Sequence, residues 1–170
     1  MRVSPGFGRA PRYFGQDGGV SGAVVAGALV LAGLNAIPAA LGGWRWYRAE
    51  PSRAFWLLLR GAQAGALLFA AAAGVLAAAG RDPSDDLFYL YALLPLAVSF
   101  VAEQLRVTSA QTILDARGLE NAQAVGELGE VEQHTVVVAI LRRELGVMAL
   151  SALVVVFLAL RAAGTAHGFA

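Results

Sequence analysis

Eight polar side chains sit in or against otherwise apolar runs: Arg60, Gln63, Glu103, Gln104, Arg106, Arg142, Arg143 and Glu144. Guanidinium, carboxamide and carboxylate groups in such surroundings can do three things. They can pair and fix the register of neighbouring helices. They can hold a small charged substrate or relay protons. They can hold the phosphate of a lipid headgroup. An isolated charge inside a bilayer is costly, so such groups pair or line a wet cavity. Arg60 is the deepest of the set, and its expected counter-ion is Glu103, with Glu144 second. The leading expectation is structural: an interfacial ion-pair network with snorkelling arginines.

Other chemistries find less support. His134 follows Glu130 by four residues, which puts both on one helix face. A metal site needs more ligands at such spacing. Asp115, Glu127 and Glu132 could supply oxygens, but acids around a hairpin tip are more simply its solvated surface. His167 is expected to be an exposed tail residue. The absence of cysteine excludes disulfides, thiolate catalysis and Cys-based zinc or iron–sulfur sites. The apolar runs contain no His, which argues against a haem held between two imidazoles. There is no GxSxG, HExxH or phosphate-loop pattern. Ser99 and Ser151 lie in apolar runs with no nearby His and read as packing residues bonded to their own backbone. The sequence therefore leads us to expect no cofactor, no metal and no enzymatic centre.

Composition sets the surroundings of these groups. The chain has 170 residues, 58% of them hydrophobic, whereas a soluble domain is nearer half apolar. The excess is gathered into long runs, which places the chain in the membrane class. The net charge is +1, too small a field to recruit nucleic acid. All 13 basic residues are Arg, a bias that reads as a GC-rich genome. The expected location is a bacterial plasma membrane.

The elements that must position the polar groups follow from the apolar runs. Residues 1–19 read as a flexible tail rich in Gly, Pro and Arg. A first helix is expected over about 20–43, long enough for a hydrocarbon core of about 30 Å. A cleaved signal peptide is the rival reading, but its apolar region would be far too long. Trp44, Trp46 and Tyr47, mixed with Arg45 and Arg48, look like interfacial anchors. Ser52 is a fitting N-cap for a second helix over 54–80. That helix carries Gly61 and Gly65 at the spacing that lets a neighbour approach closely. A third helix over 86–116 starts with Tyr89 and Tyr91 as a second aromatic belt, bends at Pro95 and stops at Gly118. Residues 121–129 form a hairpin tip with room for one short helical turn. A last helix over 130–163, acidic in its first turn, leaves 165–170 as a C-terminal tail.

The fold expected is all-α: an integral membrane four-helix bundle whose helices 3 and 4 extend beyond the bilayer as an antiparallel hairpin. Residues 20–164 make one domain. Alternating spans bring the start of helix 2, the end of helix 3 and the start of helix 4 to one side. All eight polar groups should therefore converge there. Counting back about 20 residues from Arg161 leaves Thr135–Leu141 apolar yet outside the hydrocarbon. Ile113 and Leu114 should pack on Val136, Val137 and Ile140. A remaining apolar stripe at Val136, Val137 and Ile140 then offers a partner surface, for a second copy, another membrane protein or the lipid bilayer itself. No nucleic-acid partner is expected.

Two functions compete on these grounds. The first is a non-enzymatic accessory or scaffold subunit that docks a partner through the 106–141 hairpin. The second is a small transporter or proton-coupled carrier using Arg60, Glu103 and Glu144. The side holding both termini carries five arginines and the other eight, which by the positive-inside rule puts the 106–134 hairpin in the cytoplasm.

Overall fold

The computed structural model describes residues 17–169. Most of the expected N-terminal tail lies outside the described residues. Its last three, from Asp17, already belong to a helix. The chain forms four long helices and one short one: α1 (Asp17–Arg48), α2 (Arg53–Ala78), α3 (Leu87–Asp115), α4 (Ala122–Gly126) and α5 (Glu130–Thr165). No strand occurs among the described residues. The four long helices are each long and apolar enough to cross a membrane. At 1.5 Å per residue, α1 runs about 48 Å and α5 about 54 Å, both well beyond a hydrocarbon core.

The helix ends follow local chemistry. Ser52 caps α2, its Oγ accepting from the Phe55 N–H at 3.2 Å. Gly80 ends α2 with φ +69°, and the Arg81 N–H closes back on the Leu76 carbonyl at 3.0 Å. Gly118 ends α3 in the same way at φ +68°, with the Leu119 N–H on Leu114 O. Among the described residues only the α1–α2 turn uses a residue with a side chain in this role. Ala49 has φ +55°, which costs a non-glycine residue about 1 kcal/mol. The bend folds Glu50 back onto Arg45 and Arg48, a compensating ion pair on each.

The helices run up and down, with α5 packed along both α1 and α3 and α2 closing the ring. The core is stacked in layers. Phe88, Ala73, Ala92, Ala162, Ala166 and Phe169 fill the end near the α2–α3 turn. Leu31, Ala32, Ala66 and Ala159 fill the middle. Phe55, Leu59, Leu145 and Met148 fill the other end. The middle is built largely of alanine, so backbones approach closely and dispersion does the holding. The outer faces carry Leu29, Val30, Leu67, Leu68, Leu150 and Phe157, all exposed.

Two expectations about the chain ends change. Trp44, Trp46 and Tyr47 do not follow α1 but lie within its last turns. Residues 165–169 are not a free tail, and position 170 of the expected tail lies outside the described residues. Thr165 ends α5, and Phe169 folds under the bundle with 1% exposure, edge-on to Phe88 at 5.3 Å. The Ser84 N–H and hydroxyl both donate to the His167 carbonyl, at 3.0 and 2.9 Å. Gly168 makes this return possible: it has φ +63°, and a Cβ there would sit 3.0 Å from Ser84 Oγ.

Candidate functional site

The polar groups meet at the α2–α3 seam, near the end of the bundle where α2 begins. Arg60 Nη1 donates to Glu103 Oε1 at 2.6 Å and to Gln63 Oε1 at 2.8 Å. Gln63 Nε2 donates to the same Glu103 oxygen at 3.1 Å. Arg106, one turn along α3, places Nε 3.4 Å from Glu103 Oε2, within ion-pair range. Its guanidinium lies over the Trp56 ring, 5.0 Å from the centroid, and Trp56 meets Phe55 edge-on at 5.0 Å.

Spacing within each helix and the packing of α2 on α3 together account for this assembly. Arg60 and Gln63 are three apart on α2, and Glu103 and Arg106 are three apart on α3, so each pair shares a face. The two helices are antiparallel neighbours, which brings the faces together. One carboxylate thus receives two guanidiniums and a carboxamide. The cluster carries a net positive charge and is only partly buried: Glu103 exposes 25% of its side chain and Arg60 53%. These contacts tie α2 to α3. Both hydrogen bonds fall on Glu103 Oε1, while Oε2 faces Arg106 at ion-pair range only.

The other four of the eight stand apart. Gln104 faces out from α3, and its carbonyl accepts from the Thr108 hydroxyl at 3.0 Å. Arg142 reaches across to α1, donating to the Tyr47 carbonyl at 3.2 Å. Among the described residues neither Arg143 nor Glu144 joins an ion pair. Glu144 is therefore not the counter-ion of Arg60, and the expected eightfold convergence is a cluster of four. The reason is angular. Arg142, Arg143 and Glu144 are consecutive on α5 and point in three directions. The seam between α2 and α3 lies across the bundle from most of them.

Sequence reasoning missed Glu50 as an acid that engages two arginines. Its signal was present in the motif Trp44–Glu50, where a turn must reverse the chain. Tyr89 serves the opposite end of the bundle. Its hydroxyl bonds the Arg81 carbonyl at 3.2 Å and Asp82 Oδ1 at 3.1 Å, which ties the turn to α3. Tyr91 takes the Arg161 guanidinium over its ring at 5.4 Å. Trp44 takes that of Arg48 at 5.7 Å. The aromatic anchors thus double as cation platforms.

The hairpin beyond the bundle corrects another expectation. Leu114, Val125 and Val136 form a small core of their own, flanked by Ile113, Leu119, Leu128 and Ile140. The short helix α4 closes it from above, capped by Asn121, whose Oδ1 accepts from the Ala124 N–H at 3.0 Å. Val136 is fully buried and Ile140 half-buried. Neither forms the outward surface expected of it; α4 supplies the cover that a two-helix hairpin lacked. Val137 alone of the three is exposed, at 52%, with Val107 and Val131 also exposed on the same head. His134 is exposed, and among the described residues no three imidazole or carboxylate groups come together as metal ligands would.

Comparison with known proteins finds no matching family model, no similar curated protein and no similar solved structure.

Proposed function

We propose that the chain is a multi-pass membrane protein that serves as a non-enzymatic accessory or scaffold subunit, docking a partner through its 106–141 head. The observation that carries this reading is the head itself. The ends of α3 and α5 are sealed by α4 into a unit with its own apolar core. Val107, Val131 and Val137 nevertheless remain exposed on its outside. An apolar surface on a pre-formed support suits recognition of another protein. The head also carries five acidic residues, from Asp115 to Glu132, against two arginines, Arg106 and Arg117, which favours a partner with a basic rim. In this reading the head lies on the cytoplasmic face of a bacterial plasma membrane.

Photo-cross-linking from positions 131 and 137 in native membranes tests it. The expected result is a product with a second polypeptide, lost in Val137→Asp while the chain stays inserted. Products confined to the chain itself, with Val137→Asp neutral, would leave the head a closed structural unit and defeat the proposal.

The Arg60–Gln63–Glu103–Arg106 cluster motivates a carrier as the second reading. Against it, the layers between the cluster and the opposite end are apolar. Asn35, the buried polar group between them, bonds the Leu31 carbonyl of its own helix at 3.0 Å. Ion or solute flux into liposomes that disappears in Glu103→Gln would favour the carrier.

A further inference from the structure

Two apolar grooves run side by side along the outer face of α5. The first, 600 Å³, lies between α1 and α5 and is floored by small residues, among them Ala40, Gly43 and Gly146, with Leu153 along its wall. The second, 420 Å³, lies between α3 and α5 and is lined by Ala97, Val101, Leu105 and Ser151. Leu150 lines both and is 62% exposed, so it forms the ridge that divides them. Arg143, Leu150 and Phe157 follow at intervals of seven, two helical turns each, and so stand in one row. Arg143 therefore heads the ridge. Arg142, beside it, heads the first groove, next to Trp46 in that groove's wall.

We propose that this face binds one anionic diacyl phospholipid, with an acyl chain in each groove and the phosphate at Arg142 and Arg143. The dimensions fit. Along α5 the first groove spans Gly146 to Val156, about 15 Å, which is half of a hydrocarbon core of about 30 Å and hence the depth of one leaflet. The charges fit as well. Arg142 and Arg143 have no carboxylate partner among the described residues; Arg142 bonds only the Tyr47 carbonyl. Arg45 and Arg48 share Glu50 close by. Glu144 is the one opposing acid beside these arginines on α5, and the balance at the mouth stays positive. A phosphodiester whose head group carries no compensating cation supplies the missing countercharge. A second protein copy lying on the same face would bury both guanidiniums without one. A third groove, of 560 Å³, opens beside the α2–α3 turn, where Asp82, Asp85 and Asp86 outnumber Arg81. Among the described residues it has no such mouth.

The proposal rests on the membrane insertion put forward above, but not on the docking role of the head. The test uses the full chain in mild detergent, with phosphatidylglycerol or phosphatidylcholine added in equal amounts, and counts the lipids retained by native mass spectrometry. Phosphatidylglycerol should be retained about tenfold better, from two arginines near a lipid phosphate. Arg142→Gln with Arg143→Gln should remove the preference. Gly43→Leu should reduce retention of both lipids by filling the first groove. A Cβ at Gly43 meets nothing within 4 Å, so the fold tolerates the change. Ala97→Leu repeats the test in the second groove. Equal retention of the two lipids, or a preference that survives the double substitution, overturns the proposal. So does a dimer that Gly43→Leu splits while lipid retention is unchanged. Release of the chain from membranes by alkaline carbonate would instead defeat insertion itself, and so separates the two failures.

Discussion

Where α1 meets α5, the backbones come so close that a Cβ on Gly42 would run into the Phe55 ring and sit 2.9 Å from the Ala149 Cβ. Gly146 lies close under the Trp46 indole, where a Cβ would sit 3.0 Å from Nε1. Where α2 meets α3, contact is sparse, and a guanidinium spans the gap to Glu103. One seam is held by close packing of small residues, the other by a shared carboxylate. In a lipid-like environment apolar side chains gain little by leaving lipid for protein, so helices associate through fit or through polar bonds. This bundle uses each of the two on opposite sides. The difference predicts how each seam fails. The packed seam should be sensitive to volume and indifferent to salt. The bridged seam should be sensitive to charge and tolerant of volume.

The largest effect should come from the packed seam. Gly42→Leu forces α1 away from both α2 and α5 and should cost about 3 kcal/mol, read as a lower melting temperature in detergent. A neutral outcome would mean that the seam is looser than the structure has it. Glu103→Gln comes next. It leaves Arg60 and Arg106 facing each other without a carboxylate and should cost about 2 kcal/mol. Arg60→Ala should cost less, about 1 kcal/mol, because the group is half exposed and Glu103 keeps Gln63 and Arg106. In a double-mutant cycle the double variant should lose less than the sum of the two single losses. Strict additivity would show that the groups do not interact. The smallest effect belongs to Gly61→Leu, within about 0.5 kcal/mol of wild type. Nothing lies within 4 Å of a Cβ there, whereas Gly65, four residues on, meets Leu34 at 3.1 Å. A large loss at Gly61 would reveal a contact with another chain.

The contrast between Gly61 and Gly42 also marks how far the sequence could be read. Gly61 and Gly65 have the spacing of a helix-approach motif, yet only Gly65 faces another helix of the chain. Gly42 sits in no motif and is the tighter contact. In a soluble helix the apolar stripe says which face turns inward. Within the apolar runs of α1 and α3 no face is set apart by polar residues, so the stripe carries no such signal. The same blindness affected Thr135–Leu141. Nothing in TVVVAIL distinguishes Val136, which is buried, from Val137, which is not.

What the sequence determined by itself is the part governed by one-dimensional requirements. Run length against bilayer thickness yields four long helices, and their bounds fall within a few residues of expectation, apart from the end of α1, which runs on through the aromatic anchors to Arg48. Ser52, Gly80 and Gly118 end or start helices through their own local chemistry. Alternation of spans obliges Arg60 and Glu103 to lie at one end, and the three-residue spacings put Gln63 beside the first and Arg106 beside the second. The tertiary structure alone decided the rest: that Glu144 points elsewhere, that α4 covers the hairpin core, that Glu50 gathers two arginines, and that Phe169 returns to plug the bundle. These depend on the rotation of each helix about its axis and on the path of the turns between them. Both are set by the fit of side chains from distant parts of the chain, and hydropathy read along one strand of sequence holds no record of that fit.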